Sequence, residues 1–152
     1  MDRYRGGLRH WLLLRGWTRL IKARARRAED LGIRCLHVIV PEKLSVYDDK
    51  TDGLRYAPAK ASTRRLARRL ARHPAYLDLL APLRAARNGA TPLYLRTDTH
   101  WTAQGCLLAY REIMRALGAV PPADIGGRPG TVSEQIMDLG EKLPERPRER
   151  LE

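Results

Sequence analysis

Over residues 8–31 apolar positions recur at steps of three and four. Trp17, Leu20, Ile21, Ala25, Ala28 and Leu31 make one stripe, and Arg15, Arg19, Lys22 and Arg26 make the opposite one. The spacing predicts a long amphipathic helix. Gly32 should end it, because glycine accepts the left-handed conformation that closes helices. The next run, "IRCLHVIVP", is largely apolar and closes at Pro41, which predicts a strand over 33–40. An almost continuous apolar run suits a parallel-sheet strand covered on both faces, so this should be the most buried element. Residues 48–59, "DDKTDGLRYAPA", read as loop. Helical spacing returns over 62–72, with Leu66 and Leu70 inward and the arginines solvated. "HPAYLDLL" predicts a short strand over 76–79, followed by a helix over 81–87 that ends at Asn-Gly. "PLYLRT" predicts a third strand over 92–96. The helix after it is marked by Leu107, Tyr110, Ile113, Met114 and Leu117 and stops at Gly118. From Val120 onward proline and glycine accumulate, and "EKLPERPRERLE" reads as a frayed, charged tail.

Helix and strand alternate along the chain, the signature of an α/β layer with a parallel sheet. Three strands are few for that architecture, which implies an incomplete domain. The 152 residues suffice for one domain with an apolar core. The pattern places that domain over 1–120, with 121–152 a Pro/Gly-rich and charged tail that could begin a missing C-terminal part.

Charge widens the field of partners. The chain carries 29 Lys+Arg against 17 Asp+Glu, a formal net charge of +12. Such a surplus can attract nucleic acid, anionic lipid or an acidic polymer. The basic residues lie on helix faces without interleaved aromatics, zinc ligands or a phosphate-binding glycine loop, which disfavours nucleic acid. Cys35 and Cys106 make no disulfide framework and have no metal-ligand spacing. The apolar run over 11–14 is too short for a signal-peptide core or a membrane span, so the chain shows neither.

The chemistry gathers in "LYLRTDTHWTAQG", where the third strand hands over to a helix. In α/β folds the carboxyl ends of parallel strands open onto a crevice, and functional groups collect there. Asp98 and His100 are two residues apart, so extended backbone puts both side chains on one face. A carboxylate so placed holds an imidazole in one tautomer and stabilises its protonated form, leaving the other nitrogen to accept a proton. Thr102 can cap the following helix, and Gly105 permits close packing in its first turn. A capping or solvated pair is the plain alternative for Asp98 and His100, and core packing is the one for Trp101. As metal ligands the pair is too few, and His10, His37 and His73 lie in unrelated settings. No metal and no cofactor is assigned.

"TDTHWTAQG" resembles the signature of the alginate O-acetyltransferase AlgJ/AlgX-like family, whose catalytic domain has an SGNH-hydrolase-like α/β fold. "GIRCLHVIVPEKLSVY" is similar to the strand and Pro-x-Lys turn that precede it there, and "YRGG" before a long helix fits the same order. The resemblance covers roughly residues 3 to 118. It implies an incomplete three-layer, flavodoxin-like parallel sheet of the SGNH-hydrolase type. It also implies acetyl transfer to hydroxyls of a secreted polysaccharide, in alginate or other exopolysaccharide biosynthesis, through a Ser-His-Asp triad. Asp98 would be the orienting acid and His100 the general base. Lys43, Tyr47 and Trp101 would lie near the substrate. The partners implied are a polysaccharide acceptor, an acetyl donor and a membrane acyltransferase, in the periplasm or at the inner membrane.

The family's nucleophile is a serine in a Gly-Asp-Ser block after the Asp-x-His segment. The serines here are Ser45, Ser62 and Ser133, and none follows Gly-Asp. Ser133 is on the correct side of His100 but in the wrong context. The nucleophile is therefore unassigned, and the chain reads as a truncated domain. Two alternatives stand beside that reading: a non-catalytic relative that binds glycan or a partner, and a small basic module for nucleic acid or anionic lipid.

Overall fold

The computed structural model describes residues 8–51, 62–125, 127 and 130–151. Most of the loop read at 48–59 lies outside the described residues; within it, Asp48–Lys50 form a single 3₁₀ turn. The chain divides into two compact units, Met1–Pro41 with Asp48–Leu79, and Glu42–Tyr47 with Leu80–Glu152.

In the first unit, helix α1 spans Leu8–Asp30. It stops at Gly32, whose φ of 65° is the left-handed conformation the sequence calls for. Helix α3 spans Ser62–Leu70 (the short helix α2, Lys43–Val46, belongs to the other unit). Leu14 and Ile21 of α1 meet Leu66 and Leu70 of α3 in one buried cluster, with Ile39 and Tyr76 packed against it. Thus Ile21 points inward as its spacing implies, whereas Trp17, Leu20 and Leu31 are exposed. The helix carries apolar residues on several faces, and among the described residues Leu14 and Ile21 are the ones that join the buried cluster. Strands β1 (His37–Ile39) and β2 (Tyr76–Asp78) pair in parallel, with His37 opposite Tyr76 and Ile39 opposite Asp78. Strand β1 is not the most buried element. Its three residues are half-buried, and Ile33 and Val40 at the ends of the apolar run are about 60% exposed. A strand is covered on both faces only when layers pack on both, and among the described residues β1 belongs to a sheet of two strands, too narrow to be sandwiched between full layers.

In the second unit, α2 (Lys43–Val46) contacts α4 (Leu80–Ala86), and α4 contacts α5 (Ala103–Ala116). Val46, Leu83, Leu93 and Tyr94 are among its buried residues. The third strand inferred at 92–96 does not form. Leu95 N–H donates to His100 O at 3.1 Å, Thr102 N–H donates to Leu93 O at 3.0 Å, and Tyr94 and Trp101 form an isolated antiparallel bridge. The chain turns back on itself there, so its backbone groups are satisfied locally and need no sheet. The described part of the stretch read as a frayed tail, residues 141–151, is also ordered into structure, its end pairing with residues before it. Strands β3 (Ser133–Ile136) and β4 (Arg148–Leu151) pair antiparallel across four residue pairs. Helices with a small parallel sheet give the α/β class, in a form less complete than a full parallel layer.

Candidate active site

The turn between the bridge partners Tyr94 and Trp101 holds Asp98 and His100, both in the second unit. His100 Nδ1–H donates to Asp98 Oδ1 at 2.6 Å, and the His100 backbone N–H donates to the same oxygen at 3.0 Å. One carboxylate thus closes its own turn and holds the imidazole two residues on, so the capping and dyad geometries coexist. The Asp98 side chain is 4% exposed and the His100 side chain 76%. The acid is buried beneath the loop and the ring lies open, with Nε2 facing away from its only hydrogen-bond partner among the described residues.

The electrostatics follow from that contact. Burial works to raise the Asp98 pKa, yet the hydrogen bonds from the His100 ring and from the backbone N–H groups of His100 and Thr99 outweigh it. The carboxyl is held below its ordinary value. The hydrogen bond and charge of Asp98 raise the His100 pKa above the usual imidazole value, with a smaller push from Asp138.

Further residues build the loop from below. The Lys43 ammonium donates to the carbonyls of Leu95 (2.6 Å), Arg96 (2.9 Å) and Asp98 (3.1 Å). That uses all three of its protons. Burial lowers the Lys43 pKa, against the opposing charges of Glu149, Asp98 and Asp138. The Tyr47 hydroxyl accepts from the Leu93 backbone N–H at 3.1 Å, and its ring meets Tyr94 edge-on, as Tyr94 meets Trp101. Burial pushes the Tyr94 hydroxyl up to about 12. Among the described residues the buried Trp101 Nε1–H meets no acceptor in hydrogen-bond geometry, although it lies near enough to the Tyr94 hydroxyl to favour that group's ionised form. Thr102 caps α5, its hydroxyl accepting from Gly105 N–H at 3.2 Å. Removing the ammonium while keeping the stem, Lys43→Met, leaves three carbonyls without their donor. It is expected to destabilise the chain by about 2 kcal/mol, read from urea denaturation.

Ser133 sits half-buried at the start of β3 and accepts from Gln135 Nε2 at 3.4 Å; among the described residues it makes no hydrogen bond to His100. Ser45 is buried and Ser62 opens α3. Two residues at the site have no signal in the sequence. Asp138 accepts from the Thr99 hydroxyl at 3.0 Å, and Glu149 accepts from the Thr97 N–H and hydroxyl, both at 2.7 Å, and from the Arg96 N–H. Both fall in the stretch whose composition suggests a tail. Asp98, His100 and Asp138 have potential ligand atoms within 4.8 Å of one another. A metal between the first two would have to displace their 2.6 Å hydrogen bond, so the cluster supports no metal assignment.

The family described as "SGNH hydrolase-like domain, acetyltransferase AlgX" matches residues 13–143. The chain belongs to that family. It is 30% identical over 118 residues to a probable alginate O-acetylase AlgJ of Pseudomonas fluorescens, a match covering 76% of this chain and 29% of the relative. Against the probable alginate O-acetylase AlgJ of Pseudomonas syringae pv. tomato (strain ATCC BAA-871 / DC3000) it is 31% identical over 98 residues, covering 63% of this chain and 25% of the relative. The solved O-acetyltransferase domain of Pseudomonas putida AlgJ shares the fold, with a TM-score of 0.68 at 23% identity over 94% of this chain and 54% of that one. The chain therefore spans less than a third of the length of these two curated relatives.

Proposed function

We propose that Asp98 and His100 are the acid and general base of an acyl-transfer site that moves acetyl groups onto polysaccharide hydroxyls. The carrying observation is the 2.6 Å contact between a buried carboxylate and an open imidazole. In this reading His100 Nε2 takes the proton of an attacking hydroxyl while its oxygen bonds to the acetyl carbonyl carbon. Asp98 offsets the charge of the imidazolium, which then returns the proton to the leaving oxygen. A second round, with a sugar hydroxyl as the attacking group, passes the acetyl to the acceptor. Lys43 and Tyr47 act by holding the turn in place, and Trp101 packs against Tyr94 at the base of the turn.

The nucleophilic hydroxyl is left unassigned, because no serine here follows Gly-Asp and Ser133 makes no hydrogen bond to His100 among the described residues. The acceptor is an alginate-like polysaccharide, by likeness to the relatives' printed names. An acetyl donor is proposed on the same ground; a membrane acyltransferase partner and a periplasmic or inner-membrane setting are proposed from the family resemblance of the sequence motifs alone. No helix among the described residues is long and apolar enough to cross a membrane.

An acetyl-ester assay tests the reading. The chain alone is expected to show no turnover above background. Extended with the C-terminal part of the Pseudomonas fluorescens relative, it should turn over the ester and lose that activity in His100→Ala. Turnover by the chain alone, lost in both His100→Ala and Ser133→Ala, would instead make Ser133 the nucleophile. Activity of the extended protein that survives His100→Ala would defeat the dyad.

A further inference from the structure

We propose that Glu149 is a positioning residue for the Asp98–His100 pair, a role that rests on the acyl-transfer reading above. Its carboxylate bonds the loop at three donors in two consecutive residues. Oε2 accepts from the Thr97 N–H and the Thr97 hydroxyl, each at 2.7 Å, and Oε1 accepts from the Arg96 N–H. Such charge-assisted bonds to backbone N–H groups are among the stronger ones in proteins. They fix the Leu95–Arg96 and Arg96–Thr97 peptides, one peptide short of Asp98, and so constrain where its side chain points.

The surrounding segment reinforces the same spot. Leu139 and Gly140 N–H both donate to Thr97 O, at 3.0 and 3.1 Å. Packing is close enough that a Cβ at Gly140 would lie 3.1 Å from Pro147 O and 3.5 Å from the Thr97 side chain. Asp138 takes the Thr99 hydroxyl on the far side of Asp98. Thr97 is therefore gripped at its N–H, its hydroxyl and its carbonyl, all by residues of 139–149. From below, Lys43 holds the carbonyls of Leu95, Arg96 and Asp98. Amides of one face bind Glu149 and carbonyls bind Lys43, and the two side chains of opposite charge attract each other. The turn is clamped between an acid and a base, with neither in hydrogen-bond contact with His100. Glu149 lies beyond residues 13–143, the span the family match covers.

The consequence is a defined dependence of His100 on a residue it does not touch. The charged groups that bear on the ring are Asp98 first and then Asp138. Loss of the Glu149 clasp lets Asp98 move off Nδ1, and the raised His100 pKa falls toward the ordinary imidazole value.

The test is NMR on the 152-residue chain, following the His100 ring through a pH titration and the exchange rates of the Arg96 and Thr97 amides. In Glu149→Gln both amides are expected to exchange about tenfold faster or more, and the His100 pKa to drop, while helix signals of α1 stay unchanged. Thr97→Val removes one donor to Glu149 and leaves every carboxylate in place. It should shift both readouts the same way by less, which separates positioning from loss of charge and serves if Glu149→Gln fails to fold. Glu145→Gln, on the exposed turn before β4, should change neither. Faster amides with an unmoved His100 pKa would reduce Glu149 to a structural clasp and overturn the proposal, as would unchanged amides. A wild-type His100 that titrates at the ordinary value would remove the dyad itself, a failure distinguishable from the other two.

Discussion

Gly105→Ala is expected to destabilise the unit that carries the site by about 3 kcal/mol, near the upper end for overpacking a close contact. A Cβ at that position would lie 2.2 Å from Leu93 O and 3.2 Å from the Trp101 Cβ. The first neighbour is backbone, so no rotamer change relieves the clash. Leu93 O is also the acceptor for Thr102 N–H at 3.0 Å, and moving it breaks the pairing that closes the turn. The gain of about 1 kcal/mol in helix propensity from glycine to alanine does not offset this. Urea denaturation monitored at the tryptophans would read the loss. A variant as stable as the wild type would show that α5 does not sit against the turn at this distance.

Asp98→Asn is expected to have the largest effect on chemistry. In the extended, serine-bearing protein it should lower acetyl turnover by about 10⁴-fold, the size of effect seen when a triad imidazole loses its orienting carboxylate. An amide can offer its NH₂ to Nδ1 and hold the ring in the wrong tautomer. The pH profile should move as well. In the proposed role neutral imidazole is the base, so a raised His100 pKa is expected to place the rising limb of activity above the ordinary imidazole range. Asp98→Asn should bring that limb down in pH while cutting its height. Stability runs the opposite way in the folded chain. The contribution from His100 is fully present below the ordinary imidazole pKa and is lost as pH rises through the raised value. The contribution from Asp98 is present above the ordinary carboxylate pKa and is lost as pH falls through its lowered value. The ion pair is therefore strongest between those two limits.

Local signals in the sequence translated well into structure wherever a single residue type has a single physical use. Gly32 ends α1 with positive φ, Thr102 caps α5, and Gly105 is pressed against backbone. The Asp-x-His spacing brings the two side chains together, although through a tight turn rather than an extended strand. Partnering was less legible. "PLYLRT" is apolar enough for a sheet strand, but an apolar run does not say whether its backbone pairs with another strand or with its own continuation. The run over 33–40 has the same ambiguity about how many faces are covered, and Val40 is exposed. In α1 the apolar stripe was broader than the arc that packs, which is why Trp17 and Leu20 face outward. The stretch 133–151 was opaque for another reason. Its charges suggest solvation, yet Glu149 is satisfied by backbone amides of a loop some fifty residues away, an arrangement without periodicity. Lys43 is similar: its Pro-x-Lys turn marks a place near the site, but only the fold reveals that all three donors hold carbonyls.

The pairing of carboxylate and imidazole is the claim on which the rest depends, and the titration of His100 in the wild-type chain and in Asp98→Asn measures it directly. Ring resonances followed by NMR across neutral pH should give a wild-type pKa above the ordinary imidazole value and a lower one in Asp98→Asn. The two chains should otherwise give the same spectra for the helices. Equal pKa values in both, or a wild-type value already in the ordinary range, would contradict a working Asp98–His100 pair.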